Sequence, residues 1–313
     1  MRIPWQLKAA GFKALSIAPG GGRAYRFAQR RVTGSTLPSR VSMSQKLDVA
    51  RGYRTLLAEI DPQLVSRART FIDYGAGWAP TIPLSFWAAG LDAALLVDVR
   101  PNLERDLLVG TSALVAKLLD ERAEKGIVRL PPSLDAAPTL ETCLRRLGWR
   151  YAVPLTDWKR IRELPGPRIV AATQVLLHLD LEAAERTLTE IAAALEPGDV
   201  FIAAVKCYDL YADFDPGCSP YNKFRYSERV WHSLVNSPLM SFNRMTVGDY
   251  REALDRAGFE MLAYRVEAPS ERDLEALRAV DVDRRFRDRP ERDLAAREVV
   301  WAARIGAAAS ETA

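Results

Sequence analysis

The chain has 313 residues, three cysteines and a formal net charge of +4. With 48% hydrophobic and 27% charged residues it reads as a soluble globular protein, with room for one large domain or two small ones. Cys143, Cys207 and Cys218 are scattered and odd in number, which excludes a disulfide framework and makes the cytoplasm the default; no apolar stretch approaches the about 20 residues of a membrane span.

The charge is uneven. No acid precedes Asp48, but nine bases do: Arg2, Lys8, Lys13, Arg23, Arg26, Arg30, Arg31, Arg40 and Lys46. Residues 1–43 therefore form a basic arm on a net acidic body. Trp5, Leu7, Phe12, Leu15 and Ile17 make part of the arm weakly amphipathic, and "APGGG" (residues 18–22) breaks it. Three roles are open: packing on its own domain, contact with a membrane or other anionic surface, or a cleaved transit segment.

The main domain is expected over residues 44–313, with a helical lead-in over 44–68. Leu47, Ala50, Tyr53, Leu56, Leu57 and Ile60 fall three or four apart. Strands and helices then alternate. "RTFIDYG" reads as a strand and residues 81–89 as a helix. "AALLVDV" is a second strand, and residues 102–125 a helical region capped by Asn102. "WRYAV", "RIVAAT" and "DVFIAAV" are the third to fifth strands, with a helix over 181–195 before the fifth. Short, nearly all-apolar strands alternating with helices predict a parallel sheet covered on both faces. Regularity stops at Lys206. Residues 206–243 are rich in Tyr, Phe, Asp, Pro and Ser, the mark of a functional loop or lid. A helix then runs over 246–257, with Thr246 as cap and Asp249 three residues on. "FEMLAYRV" and "EVVWAARI" make seven strands.

The turn after the first strand reads "FIDYGAGWAP". A dinucleotide site wants G-x-G-x-x-G, but Pro80 holds the third place after Gly75 and Gly77. Asp98 ends the second strand, where an acid accepts from ribose hydroxyls. Asp73 would repel a pyrophosphate and attract an ammonium or sulfonium. In "PLTDW", Asp157 can accept from an adenine amine while Leu155 or Trp158 covers the ring.

These motifs, in this order, resemble the class I S-adenosylmethionine-dependent methyltransferases. "IDYGAG" is similar to their first motif, "LLVDVRP" to the ribose acid and "PLTDW" to the adenine loop. "TQVLLHLDLEAAERTLTEIAAALEPGDVFI" is similar to the fourth-strand motif and the helix leading into the fifth strand. Leu177 stands where many members have glutamate, so His178 alone carries over there. The resemblance runs over residues 70–305, and "SPLMSFNRMTVGDYREALDRAGFEM" resembles a branch associated with bacterial surface-glycan clusters. It implies a doubly wound, Rossmann-like seven-stranded α/β sheet with an antiparallel last strand. It also implies S-adenosylmethionine as cofactor, held by Asp73, Gly75, Gly77, Asp98, Asp157, Trp158 and Gln174.

His178 is the candidate general base, because an imidazole titrates near neutrality; a packing or helix-capping role is its alternative. Tyr208, Tyr211, Tyr221, His232 and Arg244 lie in or beside the irregular stretch 206–244 and could line the acceptor pocket. The expected acceptor is an oxygen on a glycan, lipid-linked sugar or small metabolite. A run suited to exocyclic amines and a Pro-Cys dipeptide are both absent. No metal-ligand spacing is present, and the acidic body disfavours a nucleic-acid substrate. The competing readings are a nicotinamide-dependent Rossmann oxidoreductase and a non-catalytic adenosyl-binding module recruited through its arm.

Overall fold

The computed structural model describes residues 4–27, 29, 37–155 and 157–306. Arg2, Arg30, Arg31, Thr156 and the side chain of Arg26 lie outside the described residues. Three helices lead: α1 (Trp5–Ile17), α2 (Gly21–Phe27) and α3 (Arg40–Ile60), with the short α4 (Leu64–Arg67) behind them. The first half of the sheet follows as β1 (Thr70–Tyr74), α5 (Thr81–Ala88), β2 (Ala93–Val97), α6 (Arg105–Arg122), α7 (Leu140–Leu147) and β3 (Trp149–Ala152). The second half is β4 (Arg168–Thr173), α8 (Leu181–Ala194), β5 (Val200–Lys206), α9 (Glu228–Val230), α10 (Val247–Arg256), β6 (Phe259–Val266), α11 (Glu271–Arg278), α12 (Glu291–Ala295) and β7 (Glu298–Ile305).

The seven strands form one sheet in the order β3-β2-β1-β4-β5-β7-β6. Neighbours from β3 to β5 pair parallel, and β7 runs antiparallel to both β5 and β6. Alternate side chains feed two cores. Ile72 and Tyr74 of β1 join a layer with Leu188 and Ile191 of α8 and Tyr250 of α10. Phe71 joins the opposite layer with Leu47 and Leu57 of α3, Phe86 of α5 and Leu119 of α6. Helices thus cover both faces, as a parallel sheet buried on both sides requires. Order reverses between β1 and β4, so the loops at their carboxyl ends leave a crevice there.

Several boundaries differ from the sequence expectation. The lead-in helix starts at Arg40, because Ser39 caps it by accepting from Ser42 N–H. Asn102 does not cap α6; Glu104 precedes that helix, and the Asn102 amide turns to Asp98 instead. The cap of α8 is Asp180, whose Oδ1 accepts from Ala183 N–H at 2.8 Å, so His178 has no capping part. Thr246 and Asp249 do form a reciprocal capping box. Residues 206–244 are short 3-10 and π turns, which have no period to read.

The N-terminal helices pack on the body. Trp5 is buried, its N–H donates to Asp215 Oδ2 at 2.8 Å, and its ring lies 5.6 Å from that of Tyr211. Lys13 Nζ reaches the carbonyls of His232 (2.7 Å) and Asn236 (3.2 Å). Among the described residues no helix is long and apolar enough to cross a membrane. Trp5→Ala should lower the unfolding free energy by about 3 kcal/mol, the scale for deleting a buried indole. A denaturant melt checks this, and an unchanged midpoint would mean that α1 adds nothing to the core.

Candidate functional site

The turn after β1 is shaped by hydrogen bonds to β2. The N–H groups of Gly75 and Ala76 both donate to the Val97 carbonyl, at 2.8 and 3.0 Å. This bends the chain sharply, and Gly75 and Gly77 take φ of +85° and +61°. A β-carbon at Gly75 would stand 2.2 Å from Val175 Cγ2, in the loop after β4. Glycine is therefore required by backbone conformation and by contact. Asp98 sits just beyond β2 and is buried. Its Oδ2 accepts from Gly77 N–H (2.9 Å) and Asn102 Nδ2 (3.3 Å), and its Oδ1 from Arg100 N–H (3.2 Å).

These groups wall a cavity of ≈ 530 Å³ at the reversal point of the sheet. Gly75, Gly77 and Trp78 form one side, and Asp98 to Arg100 with Asn102 a second. Thr173 to Val175 and His178 form a third. Tyr25 and Gln29 from the N-terminal segment, with Pro238 and Leu239 beyond α9, close it.

Asp73 is the unusual group. It is buried one residue before Tyr74, which lines the cavity. Among the described residues no hydrogen bond reaches its carboxylate. Burial pushes its carboxyl up to about 7; the nearby Lys46 opposes this and Asp98 adds to it. The neighbouring Lys46 donates its Nζ to the Ala79 carbonyl at 3.2 Å instead, and the arrangement suits a cation supplied by a ligand.

Gln174 lines the cavity in a left-handed conformation, φ +55°. Its side chain ties strands together: Nε2 donates to Glu298 Oε1 (2.8 Å), and Oε1 accepts from Lys206 N–H (2.8 Å). His178 also lines the cavity. Its Nδ1 bonds the Ser241 carbonyl, which places the proton on Nδ1 and leaves Nε2 with its lone pair. His178 and Ser241 are shared with a second cavity of ≈ 580 Å³, walled by Asp180, Glu182, Glu228, His232 and Arg244.

Other sequence candidates lie elsewhere. Asp157 is exposed and caps a 3-10 turn by accepting from Lys159 N–H at 2.9 Å. Trp158 is buried edge-on against Tyr74, with ring centroids 5.1 Å apart. Neither lines the cavity, so the adenine role read for them is not where the structure puts them. Tyr208 donates to Asp213 Oδ1 at 2.8 Å. Tyr211 is buried between Trp5 and Phe242. Tyr221 is buried in a small core with Phe224, Leu274 and Phe286, its hydroxyl on Asp273 and the Ala295 carbonyl. None of the three lines either cavity: the rings of Tyr211 and Tyr221 fill cores, and that of Tyr208 lies under Lys206 and Arg297. His232 and Arg244 do line the second cavity, where the Glu228 carboxylate lies 3.1 and 2.7 Å from their nitrogens. Sequence reading missed Tyr25, Gln29 and Asn102. Asn102 has the residue type of a helix cap, which hid its turn toward Asp98. Among the described residues no group of His, Cys, Asp and Glu could hold a metal ion.

No protein-family model matches the chain, and no curated protein matches it. Solved structures give low-identity likenesses. A DUF574 family protein from Streptomyces avermitilis is 14% identical, with a TM-score of 0.41, covering 96% of this chain and 97% of that one. An S-adenosylmethionine-dependent methyltransferase from Clostridium acetobutylicum is 8% identical, TM-score 0.39, covering 91% and 98%. Human N-acetylserotonin methyltransferase with S-adenosylmethionine is 12% identical, TM-score 0.40, covering 97% and 63%. Identities and scores this low do not transfer a function, so the site must carry it.

The raised Asp73 carboxyl gives a signed expectation. The unfolded chain loses this proton near the ordinary value of about 3.9, whereas the folded one keeps it to about 7. The native state then binds more protons across that window, so stability falls as pH rises from about 4 to about 7. Melts over this range should show the fall, and Asp73→Asn should flatten it. A mutant with the parent's slope would place the titrating group elsewhere.

Proposed function

We propose that the protein is an S-adenosylmethionine-dependent methyltransferase. The observation that carries this reading is the buried, donor-free carboxylate of Asp73 beside a glycine turn that ends on Asp98. Such a set fits an adenosyl amino acid. Asp98 would accept from the ribose hydroxyls, Asp73 would hold the ammonium, and the open backbone at Gly75 and Gly77 would let the ligand approach. The sheet with its single reversed strand, implied by the sequence resemblance, supports the same reading.

Bound there, the sulfonium supplies an already activated methyl group, so the chain's work is alignment, exclusion of water and handling of one proton. His178 borders both cavities with Nε2 free, and it takes the proton from an acceptor hydroxyl. The acceptor lies in the second cavity, where His232, Arg244 and the carboxylates offer hydrogen bonds to a polyhydroxylated molecule. An oxygen on a glycan, lipid-linked sugar or small metabolite matches that lining. Leu7, Ile17 and Phe27 stand exposed on α1 and α2. The reading includes a peripheral contact of that face with an anionic membrane, checked by salt-sensitive binding to anionic vesicles.

The nicotinamide reading is weaker on two observations. Pro80 occupies the third glycine's place, and the Asp73 carboxyl lies just before the glycine turn, where a pyrophosphate would add charge of the same sign. Calorimetry separates the readings. S-adenosylhomocysteine should bind and NAD should not. Asp98→Ala should weaken S-adenosylhomocysteine by about 1–3 kcal/mol, the cost of losing a buried charged hydrogen bond. Binding of NAD alone would overturn the donor assignment, and binding of neither would favour a non-enzymatic role. His178→Ala should cut methyl transfer about 10²–10⁴-fold, the range for a general base, with S-adenosylhomocysteine affinity unchanged. An active His178→Ala enzyme would assign the proton to another group.

A further inference from the structure

A third depression lies on the opposite side of Gln174 from the glycine turn. It is a groove of ≈ 330 Å³ between α3 and the strands β5 and β7. Its walls are mainly apolar: Val49, Leu56, Ala204 and Val300. At its inner end stand the buried hydroxyl of Tyr53 and the half-buried carboxylate of Glu298.

Three observations bear on what this groove could take. The first is Gly52, in the interior of the 21-residue helix α3 and on the groove wall. A β-carbon there would meet nothing within 4 Å. Glycine weakens a helix interior, and neither packing nor φ demands it at this exposed position on the groove wall. The second is charge. Arg265, the one cation on the walls, is bound to Glu59. Asp48 at the rim is bound by Arg51 and Arg122. Glu298 uses Oε1 for Gln174, and among the described residues no hydrogen bond reaches its Oε2. Lys206 acts on it only at a distance, since its Nζ turns to Asp213 at 3.4 Å. The unmatched sign is therefore negative.

The third is connection to the cofactor cavity. Tyr53 bonds Thr173 Oγ1 at 3.0 Å, and Glu298 bonds Gln174. Thr173 and Gln174 both line the larger cavity. The Tyr53 hydroxyl also feels the charges of both Asp73 and Glu298. A cation at Glu298 would thus act on a residue whose left-handed backbone shapes the cofactor wall.

We propose that the α3–β7 groove is a second binding site, taking a small primary amine with an apolar body, its ammonium on Glu298 and its chain along Val49, Leu56 and Val300. This goes beyond the methyltransferase reading; only its link to S-adenosylhomocysteine rests on that reading.

The test is calorimetric titration of the full chain with n-hexylamine, without cofactor. Saturable binding is expected, weakened at least tenfold by Glu298→Gln and lost in Gly52→Leu. The second variant places a side chain in open space on a helix, so its melting temperature should not fall below the parent's. Hexanoate should not bind. In return, saturating hexylamine should change S-adenosylhomocysteine affinity by the factor by which S-adenosylhomocysteine changes hexylamine affinity. Equal affinities for 1-hexanol and hexylamine, or full hexylamine binding by Gly52→Leu, would overturn the site. An unchanged S-adenosylhomocysteine affinity would overturn its link to the cofactor cavity.

Discussion

The absence of a side chain at Gly75 lets three strand ends meet. Its N–H closes on Val97 at the end of β2, and its α-carbon lies against Val175 beyond β4. A β-carbon there would stand 2.2 Å from a valine methyl, so the turn or Val175 would have to shift. Everything around the cavity depends on this contact. It sets the height of the turn above the sheet, aims Gly77 N–H at Asp98 and leaves Asp73 beneath with no donor of its own. The left-handed Gln174 is the matching element on the β4 side, pinned by Lys206 and Glu298. A single close packing point thus organises the groups that the proposed adenosyl ligand would use at its two ends.

The irregular stretch after β5 does a different job from the one its composition suggests. Its tyrosines are mostly structural. They pack around a buried polar cluster in which Asp209 accepts from Tyr211 N–H (2.9 Å) and Asn222 Nδ2 (3.0 Å). Lys223 is buried beside it and donates to the Met245 carbonyl at 3.2 Å. Burial lifts the Asp209 carboxyl to about 6 and lowers the Lys223 ammonium to about 8. Satisfied buried polar groups of this kind favour one arrangement of the chain over others. The stretch thereby presents a fixed wall to the second cavity, built from short helical turns and loops. His232, Arg244 and Glu228 face outward from it, and α1 is clamped on its back by Trp5 and Lys13.

The sheet was legible because buried parallel strands leave apolar runs that few other structures produce. β1, β2, β4 and β5 are such runs, and Gly75, Gly77 and Asp98 follow from their position at strand ends. What was not legible required knowledge of where side chains turn. Asn102 has the residue type of a cap, yet it turns to Asp98. Asp157 has the type of an adenine partner, yet it caps a local turn, as short acidic side chains readily do. Tyr221 and Arg244 share one segment, but a few residues of irregular backbone send one into a core and the other to a cavity. Tyr25 reaches the cavity only because α2 folds back on α1, where Gly21 lies against the Leu15 carbonyl. Nothing local in "GGGRAY" encodes that destination.

The account rests on Asp73 and Asp98 holding opposite ends of one ligand. A crystal structure of the protein with S-adenosylhomocysteine tests this most directly. The account predicts the amino-acid ammonium within hydrogen-bonding distance of Asp73 and the ribose hydroxyls on Asp98, with the sulfur toward Gln174 and His178. An adenosyl group bound away from the glycine turn, or one leaving Asp73 without a donor, would contradict it.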